Sequence, residues 1–379
     1  MSTGFAWHER YAWHDTGRWA GMAPAGGMNQ PYIHVENAET KSRLTAILEV
    51  SGMLDQLTRL HIEPATEEDI LRVHTPRHVN SIKEQSADRR GGDAGDGWSP
   101  FGAGSYEIAL LAAGGTISAT SAVLTGEVDN AYALVRPPGH HAERDLGRGF
   151  CIFNNIAVAI KWARAHHGVE RVAVVDYDVH HGNGTQEIFY SDPNTLTISL
   201  HQNRLFPSDS GLHSETGSGD GEGFALNIPL PAGSGNGAYA TAFERVVLPA
   251  LQAFRPELIL VASGFDASIN DPLGRMLVTA SGYRRLTKLL MDAAGELCNG
   301  RLVMSHEGGY SAVYVPFCGV AVLEEMSGIK TDVVDPFAGF WEDLPGQGLE
   351  PWQSQVIDEA AALLPLLQSK ASHNETKAG

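Results

Sequence analysis

Short apolar runs alternate with helix-length amphipathic stretches along most of the chain. The runs Ala131 to Val135, Val172 to Val175, Thr195 to Leu200, Leu226 to Ile228, Leu258 to Ser263 and Leu302 to Ser305 are too short for core helices and read as strands buried on both faces. Between and after them, helical periodicity covers Asn155 to His166, Ala238 to Ala253, Ser281 to Leu297 and Ala312 to Ser327. This alternation predicts an α/β fold, a mostly parallel sheet with helices on both faces.

Upstream, Leu44, Ile47, Leu48 and Val50 predict a helix from Glu39 to Leu57, and Thr66-Glu-Glu-Asp69 opens another through a capping-box-like start. Pro76 breaks the chain before a short helix near His78 to Lys83. Residues 86–103 are polar and Gly-rich with no apolar period, so they predict a long loop of the kind that rims sites. A helix then runs from Tyr106 to Leu124. Residues 1–36 are irregular, with Trp7, Tyr11, Trp13 and Trp19 expected to cap a core rather than form an element. Past Lys330 the pattern weakens until a terminal helix near Val356 to Gln368 and a polar tail. No repeat or linker divides the chain, so a single domain over 1–379 is expected, with its core at 40–330.

Composition narrows the function. A formal net charge of -18 repels phosphate backbones, which argues against nucleic acid as a direct partner. Cys151, Cys298 and Cys318 are odd in number and form no C-x-x-C pair, so neither a disulfide framework nor a cysteine metal site is expected. The N-terminus has charges where a leader needs an apolar run, and no apolar stretch reads as long enough for a membrane. A cytoplasmic protein with no membrane partner is expected.

The sharpest chemistry follows the Val172 to Val175 strand, in Asp176-Tyr-Asp-Val-His-His-Gly-Asn183. Alternation on extended backbone puts Asp176, Asp178 and His180 on one side. Two carboxylates and an imidazole that close call for a compensating cation, and the mixed set suits zinc and its neighbours. Three other strands end in reactive residue types at the same edge, where open α/β sheets gather their sites. They deliver His140 and His141, Asp266, and Glu307-Gly-Gly-Tyr310. If Asp178, His180 and Asp266 share one metal, an open position remains for catalysis. His140 and His141 can act as acid and base beside it, with Asp176 and Asn183 to fix their tautomers, and Tyr310 can donate to a developing oxyanion.

The motifs PPGHHA (Pro137 to Ala142), GFCIFNN (Gly149 to Asn155), DYDVHHGNGT (Asp176 to Thr185), SLH (Ser199 to His201), GFDA (Gly264 to Ala267) and EGGY (Glu307 to Tyr310) closely resemble the zinc-dependent histone deacetylase and acetylpolyamine amidohydrolase family. DPLG (Asp271 to Gly274) and Asn183 resemble its class II branch, including bacterial deacetylase-like amidohydrolases. The resemblance implies an arginase/deacetylase-like three-layer fold, with one catalytic Zn2+ on Asp178, His180 and Asp266. It also implies His141 as general base, His140 as its electrostatic or acid partner, and Tyr310 polarising the scissile carbonyl. Structural K+ is implied at Asp176, Asp178, His180, Ser199 and Leu200, with a weaker second site at Phe189, Asp192, Thr195 and Phe224. Gly149, Phe150, Phe206 and Leu273 match residues lining a narrow acyl-lysine tunnel.

The activity implied is hydrolysis of acetyl or other short acyl groups from acyl-lysine by metal-activated water, giving acetate and a free amine. Leu273 stands where the polyamine-selective branch of class II has an acidic gatekeeper, which favours acyl-lysine. Asp93 or Asp96 could restore polyamine selection, so an acetylpolyamine amidohydrolase is the alternative. A weakly active acyl-lysine-binding protein is a third reading, opposed by the intact His140, His141 and Tyr310. A two-metal ureohydrolase lacks the ligands. The substrate is thus an acylated lysine or small amine, and the sequence leaves a homo-oligomer open.

Overall fold

The computed structural model describes residues 1–378, with side chains to residue 373. Eight strands form one sheet: β1 (Thr3–Ala6), β2 (Thr58–Arg59), β3 (Asn130–Ala133), β4 (Val172–Asp176), β5 (Thr195–Gln202), β6 (Ala225–Leu230), β7 (Leu258–Ser263) and β8 (Leu302–His306). Their spatial order is β6-β5-β4-β7-β8-β3-β1-β2, and every neighbouring pair is parallel.

Parallel strands need crossovers, so helices cover both faces and the strands become continuously apolar. In β4, Val172 and Val174 enter the core shared with helices Ser105–Thr125 and Asn155–His167, while Ala173 and Val175 enter the core shared with Ala280–Leu297 and Val315–Ser327. β7 repeats the division, with Leu258, Leu260 and Ala262 on the first side and Ile259 and Val261 on the second. The result is a helix-sheet-helix sandwich of three layers.

Successive strands run outward from β4 through β5 and β6 in one direction and from β7 to β8 in the other. Crossovers therefore part between β4 and β7, opening a crevice at their carboxyl ends. Register brings Asp176 at the end of β4 level with Ser199 of β5 and Ala262 of β7.

The six expected strands lie within two residues of their observed bounds. Six expectations change. Residues 1–36 are not only an irregular cap, since Thr3–Ala6 inserts beside β3 and β2, and Arg18–Ala20, Ala23–Pro24 and Tyr32–Ile33 form a small antiparallel sheet. Gly4 admits this close packing, because a Cβ there would stand 2.9 Å from Leu60. The helix expected to reach Leu57 stops at Val50, and Gly52, at φ 71°, turns the chain towards β2.

The helix expected over Ala238 to Ala253 is interrupted by a π turn at Phe243–Val247. Pro249 lacks the N–H that would close the regular ladder there. Pro316 sits in the first turn of Val315–Ser327, which starts later than Ala312, and the expected terminal helix is two, Pro351–Ala361 and Leu364–Ala378. Finally, Ser105–Thr125 is long and apolar enough to cross a membrane, contrary to the sequence reading. In the fold it is a core helix, with 67% of its apolar window buried.

Candidate active site

The loop after β4 folds around its own carboxylates. Asp176 Oδ1 accepts from the Asp178 backbone N–H at 3.1 Å, and Asp178 Oδ1 from that of His180 at 2.9 Å. Two further strands lock it: Asp178 Oδ2 accepts from the Gly308 N–H at 2.8 Å, and Asp266 Oδ1 from the Val179 N–H at 2.8 Å. A Cβ on Gly264 would stand 2.2 Å from Asp178 Oδ2, and one on Gly308 2.1 Å from Asp266 Oδ2. Only glycine lets backbone approach these carboxylates so closely.

Asp178, His180 and Asp266 are buried, and their donor atoms lie within 4.8 Å of one another. His180 Nδ1 is 3.0 Å from both Asp178 Oδ1 and Asp266 Oδ2. Burial opposes charge on His180, but Asp266 and Asp178 outweigh it and raise its pKa to about 10. Burial, reinforced by Asp178, raises Asp266 to about 7. Asp178 is the exception: burial pushes it up, yet His140 and His180 hold it well below the usual range. The trio is a buried anionic centre that calls for a cation, and two carboxylates with one imidazole suit a divalent transition ion. The residues present fit a metal.

His140 and His141 stack beside this centre with ring centroids 3.9 Å apart. They have different partners: His140 Nδ1 meets Asp176 Oδ2 at 2.9 Å, and His141 Nδ1 meets Asn183 Oδ1 at 2.8 Å. Burial disfavours charge on both. Asp178 and Asp176 overcome it for His140 and raise its pKa well above the ordinary value. His141 falls well below, through burial and the neighbouring His140 and His180. The two stacked imidazoles are therefore pushed in opposite directions. Glu307 backs the pair, accepting from the N–H groups of Gly139 at 2.6 Å and His140 at 3.1 Å.

A cavity of about 350 Å³ leads to these groups. His141, His180 and Tyr310 line it, and the rings of Phe150 and Phe206 face into it. Phe150 packs edge-on to Tyr310 at 5.9 Å, and Phe206 edge-on to His141 at 4.9 Å. Phe150 holds φ 71°, a strained value for an aromatic residue, while its N–H donates to Ser99 Oγ at 2.8 Å. Gly149 leaves no room for a Cβ, which would stand 2.3 Å from His141. Gly149, Leu205 and Leu273 complete the lining, with half-exposed Met22 and Trp98. Tyr310 is fixed through its N–H, which donates to Asp271 Oδ2 at 2.7 Å. Burial raises its phenol well above the ordinary pKa, so it remains a donor.

The candidate selectors Asp93 and Asp96 are otherwise engaged. Asp93 accepts from the N–H groups of Gly95, Gly97 and Ser99, and Asp96 from those of Trp98 and Gly149. They shape the loop that holds the Phe150 wall instead of facing the cavity. Asp176, Thr185, Thr197, Ser199 and Asn227, together with Val174 and Ile198, line a small cavity of about 10 Å³, close to the size of one water molecule. Leu200 adjoins Ser199 on β5, and Asp178 and His180 lie on the adjoining loop. Phe189, Asp192 and Thr195 share one turn leading into β5 and Phe224 precedes β6, but the Asp192 carboxylate is already paired with Arg164 at 2.5 Å.

Four contributors escaped sequence reasoning: Met22, Trp98 and Leu205, which stand in segments without periodicity, and Asp271, visible only as part of DPLG.

The histone deacetylase domain model matches residues 34–326. A histone deacetylase-like amidohydrolase of Pseudomonas aeruginosa is 50% identical over 364 residues, covering 95% of each chain. A probable deacetylase of Archaeoglobus fulgidus is 37% identical over 88% of this chain and 89% of its own, and histone deacetylase 8 of Arabidopsis thaliana 38% identical over 82% and 83%. Among solved structures, the crystal structure of the HDA15 HD domain superposes with a TM-score of 0.83 at 31% identity, covering 100% of both chains.

Proposed function

We propose that this chain, which belongs to the histone deacetylase family and is a metal-dependent hydrolase of amide bonds, removes acetyl or other short acyl groups from acyl-lysine side chains. The observation that carries the reading is the apolar cavity between Phe150 and Phe206, which runs to the buried Asp178, His180 and Asp266. Four methylenes of a lysine stem bury there at about 0.8 kcal/mol each. Among the described residues no carboxylate lines this cavity to hold a second amine, and Leu273 stands in the lining.

Asp178, His180 and Asp266 would hold one Zn2+, which when bound would polarise the amide carbonyl and acidify water. His141, neutral and tethered through Nδ1, presents Nε2 to take a proton from the attacking water. His140, cationic beside Asp176, stabilises the negative charge that builds up and keeps the second imidazole uncharged. Tyr310 donates its phenol proton in a hydrogen bond to the carbonyl oxygen as it becomes an anion. A histidine then returns the proton to the departing lysine amine, leaving acetate and a free amine. K+ would be held at Asp176, Asp178, His180, Ser199 and Leu200, of which Asp176 and Ser199 also line the small cavity. A second K+ at Phe189, Asp192, Thr195 and Phe224 would rely on main-chain carbonyls, because Arg164 already neutralises Asp192.

The test is kcat/KM of the zinc-loaded protein on an acetyl-lysine peptide against acetylputrescine and acetylcadaverine. The peptide is expected to be preferred. Preference for the polyamines would overturn the substrate assignment and leave the amidohydrolase chemistry intact.

A further inference from the structure

Behind the cavity wall, Asn183 stands between His141 and a carboxylate that the proposed chemistry leaves unused. Asn183 Nδ2 donates to Glu143 Oε1 at 2.7 Å, while its Oδ1 meets His141 Nδ1 at 2.8 Å. The two ends of an amide are nearly identical in shape, so partners decide which way it points. A carboxylate only accepts. The NH2 end must therefore face Glu143 and the carbonyl end His141, which obliges His141 to carry its proton on Nδ1 and leaves Nε2 as the accepting nitrogen.

Glu143 is itself held from several sides. Arg148 Nη1 donates to Glu143 Oε1 at 3.3 Å, and Arg148 Nη2 to Asp209 Oδ1 at 3.1 Å. The Arg148 guanidinium also lies 5.5 Å from the centre of the Phe206 ring, tying this group to the cavity wall. The Glu143 backbone donates to Leu146 O and accepts from His74 Nδ1, both at 2.9 Å. Without the carboxylate, only a long 3.4 Å contact from Asn183 Nδ2 to His141 O would orient the amide. A flipped amide would present NH2 to His141 and select the tautomer with its proton on Nε2, which cannot act as a base at the reacting centre.

We propose that Glu143, steadied by Arg148, is a positioning residue that orients the Asn183 amide and through it holds His141 in its basic tautomer. The inference rests on the reading of His141 as general base. It differs from a structural role in one respect: an aspartate at 183 has two accepting oxygens and no wrong orientation, so it does not need Glu143.

The experiment measures kcat, KM and the kcat pH profile of the zinc-loaded protein on an acetyl-lysine peptide, with thermal melts to verify folding. The variants are Glu143→Leu, Glu143→Gln, Asn183→Asp, the double variant Asn183→Asp/Glu143→Leu, and His141→Ala. In the native background Glu143→Leu is expected to lower kcat about 10- to 100-fold with KM little altered, the scale of an outer-shell or tautomer defect. Glu143→Gln, which keeps an accepting oxygen, should recover most of that loss. In the Asn183→Asp background Glu143→Leu should cost nothing. Equal losses in the two backgrounds, or no loss in the native one, would overturn the proposal. His141→Ala separates the two levels: near-native kcat there removes the base assignment and this inference with it, whereas an inactive His141→Ala with equal Glu143→Leu losses removes this inference alone. Should Glu143→Leu not fold, Glu143→Ala enters the same comparison, with the same loss expected in the native background and its absence with Asn183→Asp.

Discussion

The imidazoles of His140 and His141 stack 3.9 Å apart, yet Asp176 holds one and Asn183 the other. Adjacent in sequence and alike in chemistry, they are pushed in opposite directions: Asp178 and Asp176 raise the pKa of His140, while burial with His140 and His180 lowers that of His141. An anionic partner favours an imidazolium, and an amide merely orients a neutral ring.

The cationic His140 depresses the pKa of His141, so replacing Asp176 with Asn, which weakens the charge on His140, raises the pKa of His141. His141 then takes up its proton at higher pH, and the acid limb of kcat/KM moves upward. A pH-rate profile of Asp176→Asn with an unmoved or lowered acid limb would contradict the assignment.

Tyr310→Phe keeps the ring that packs on Phe150 and removes only the phenol O–H. Loss of one oxyanion donor costs about 10²- to 10³-fold in kcat. KM should change little, and the melting temperature should stay close to that of the native protein. An unaltered kcat would revive the reading of a binding protein.

Glu36 tests the stability of the layer beneath the site. It is fully buried between Arg136 Nε at 2.8 Å and Lys41 Nζ at 3.1 Å. Burial would raise its pKa, but Arg136 and Lys41 outweigh that and hold it well below the carboxylate range. Its folded pKa lies below the unfolded value of about 4.3, so the stability it contributes is present above that pH and is lost as pH falls through the folded pKa. Glu36→Gln leaves two cations buried without their counter-ion and should cost about 3–5 kcal/mol at neutral pH. Denaturant melts across pH would show the loss at pH 7 and convergence with the native protein in strong acid.

Leu273→Glu places a carboxylate in a cavity lining that has none among the described residues. Turnover of acetylputrescine and acetylcadaverine should rise relative to the acetyl-lysine peptide, because their second amine gains a partner. An unchanged ratio on the three substrates would show that the identity of residue 273 does not govern selection.

Much of this was legible in the chain because two-sided burial writes itself plainly. β4 and β7 are continuous apolar runs, and the residues that end them carry the chemistry. β1 was not legible: four residues with Gly4 among them show no period, and its place depends on β3, more than a hundred residues away. Met22 and Trp98 belong to segments whose course is set by turn hydrogen bonds such as those of Asp93 and Asp96, which leave no spacing rule behind. The π turn at Phe243–Val247 preserved the helical pattern while changing its geometry. The pairing of His140 with Asp176 and His141 with Asn183 could be anticipated as chemistry, but the link from Asn183 to Glu143 exists only once the two loops meet.

The most direct measurement is acetate released from an acetyl-lysine peptide by the purified protein, before and after chelation and again after Zn2+ is restored, alongside Asp178→Asn. Turnover that disappears on chelation, returns with Zn2+ and is absent in Asp178→Asn is the predicted result. Turnover that survives metal removal, or persists in Asp178→Asn, would contradict hydrolysis at the Asp178, His180 and Asp266 centre.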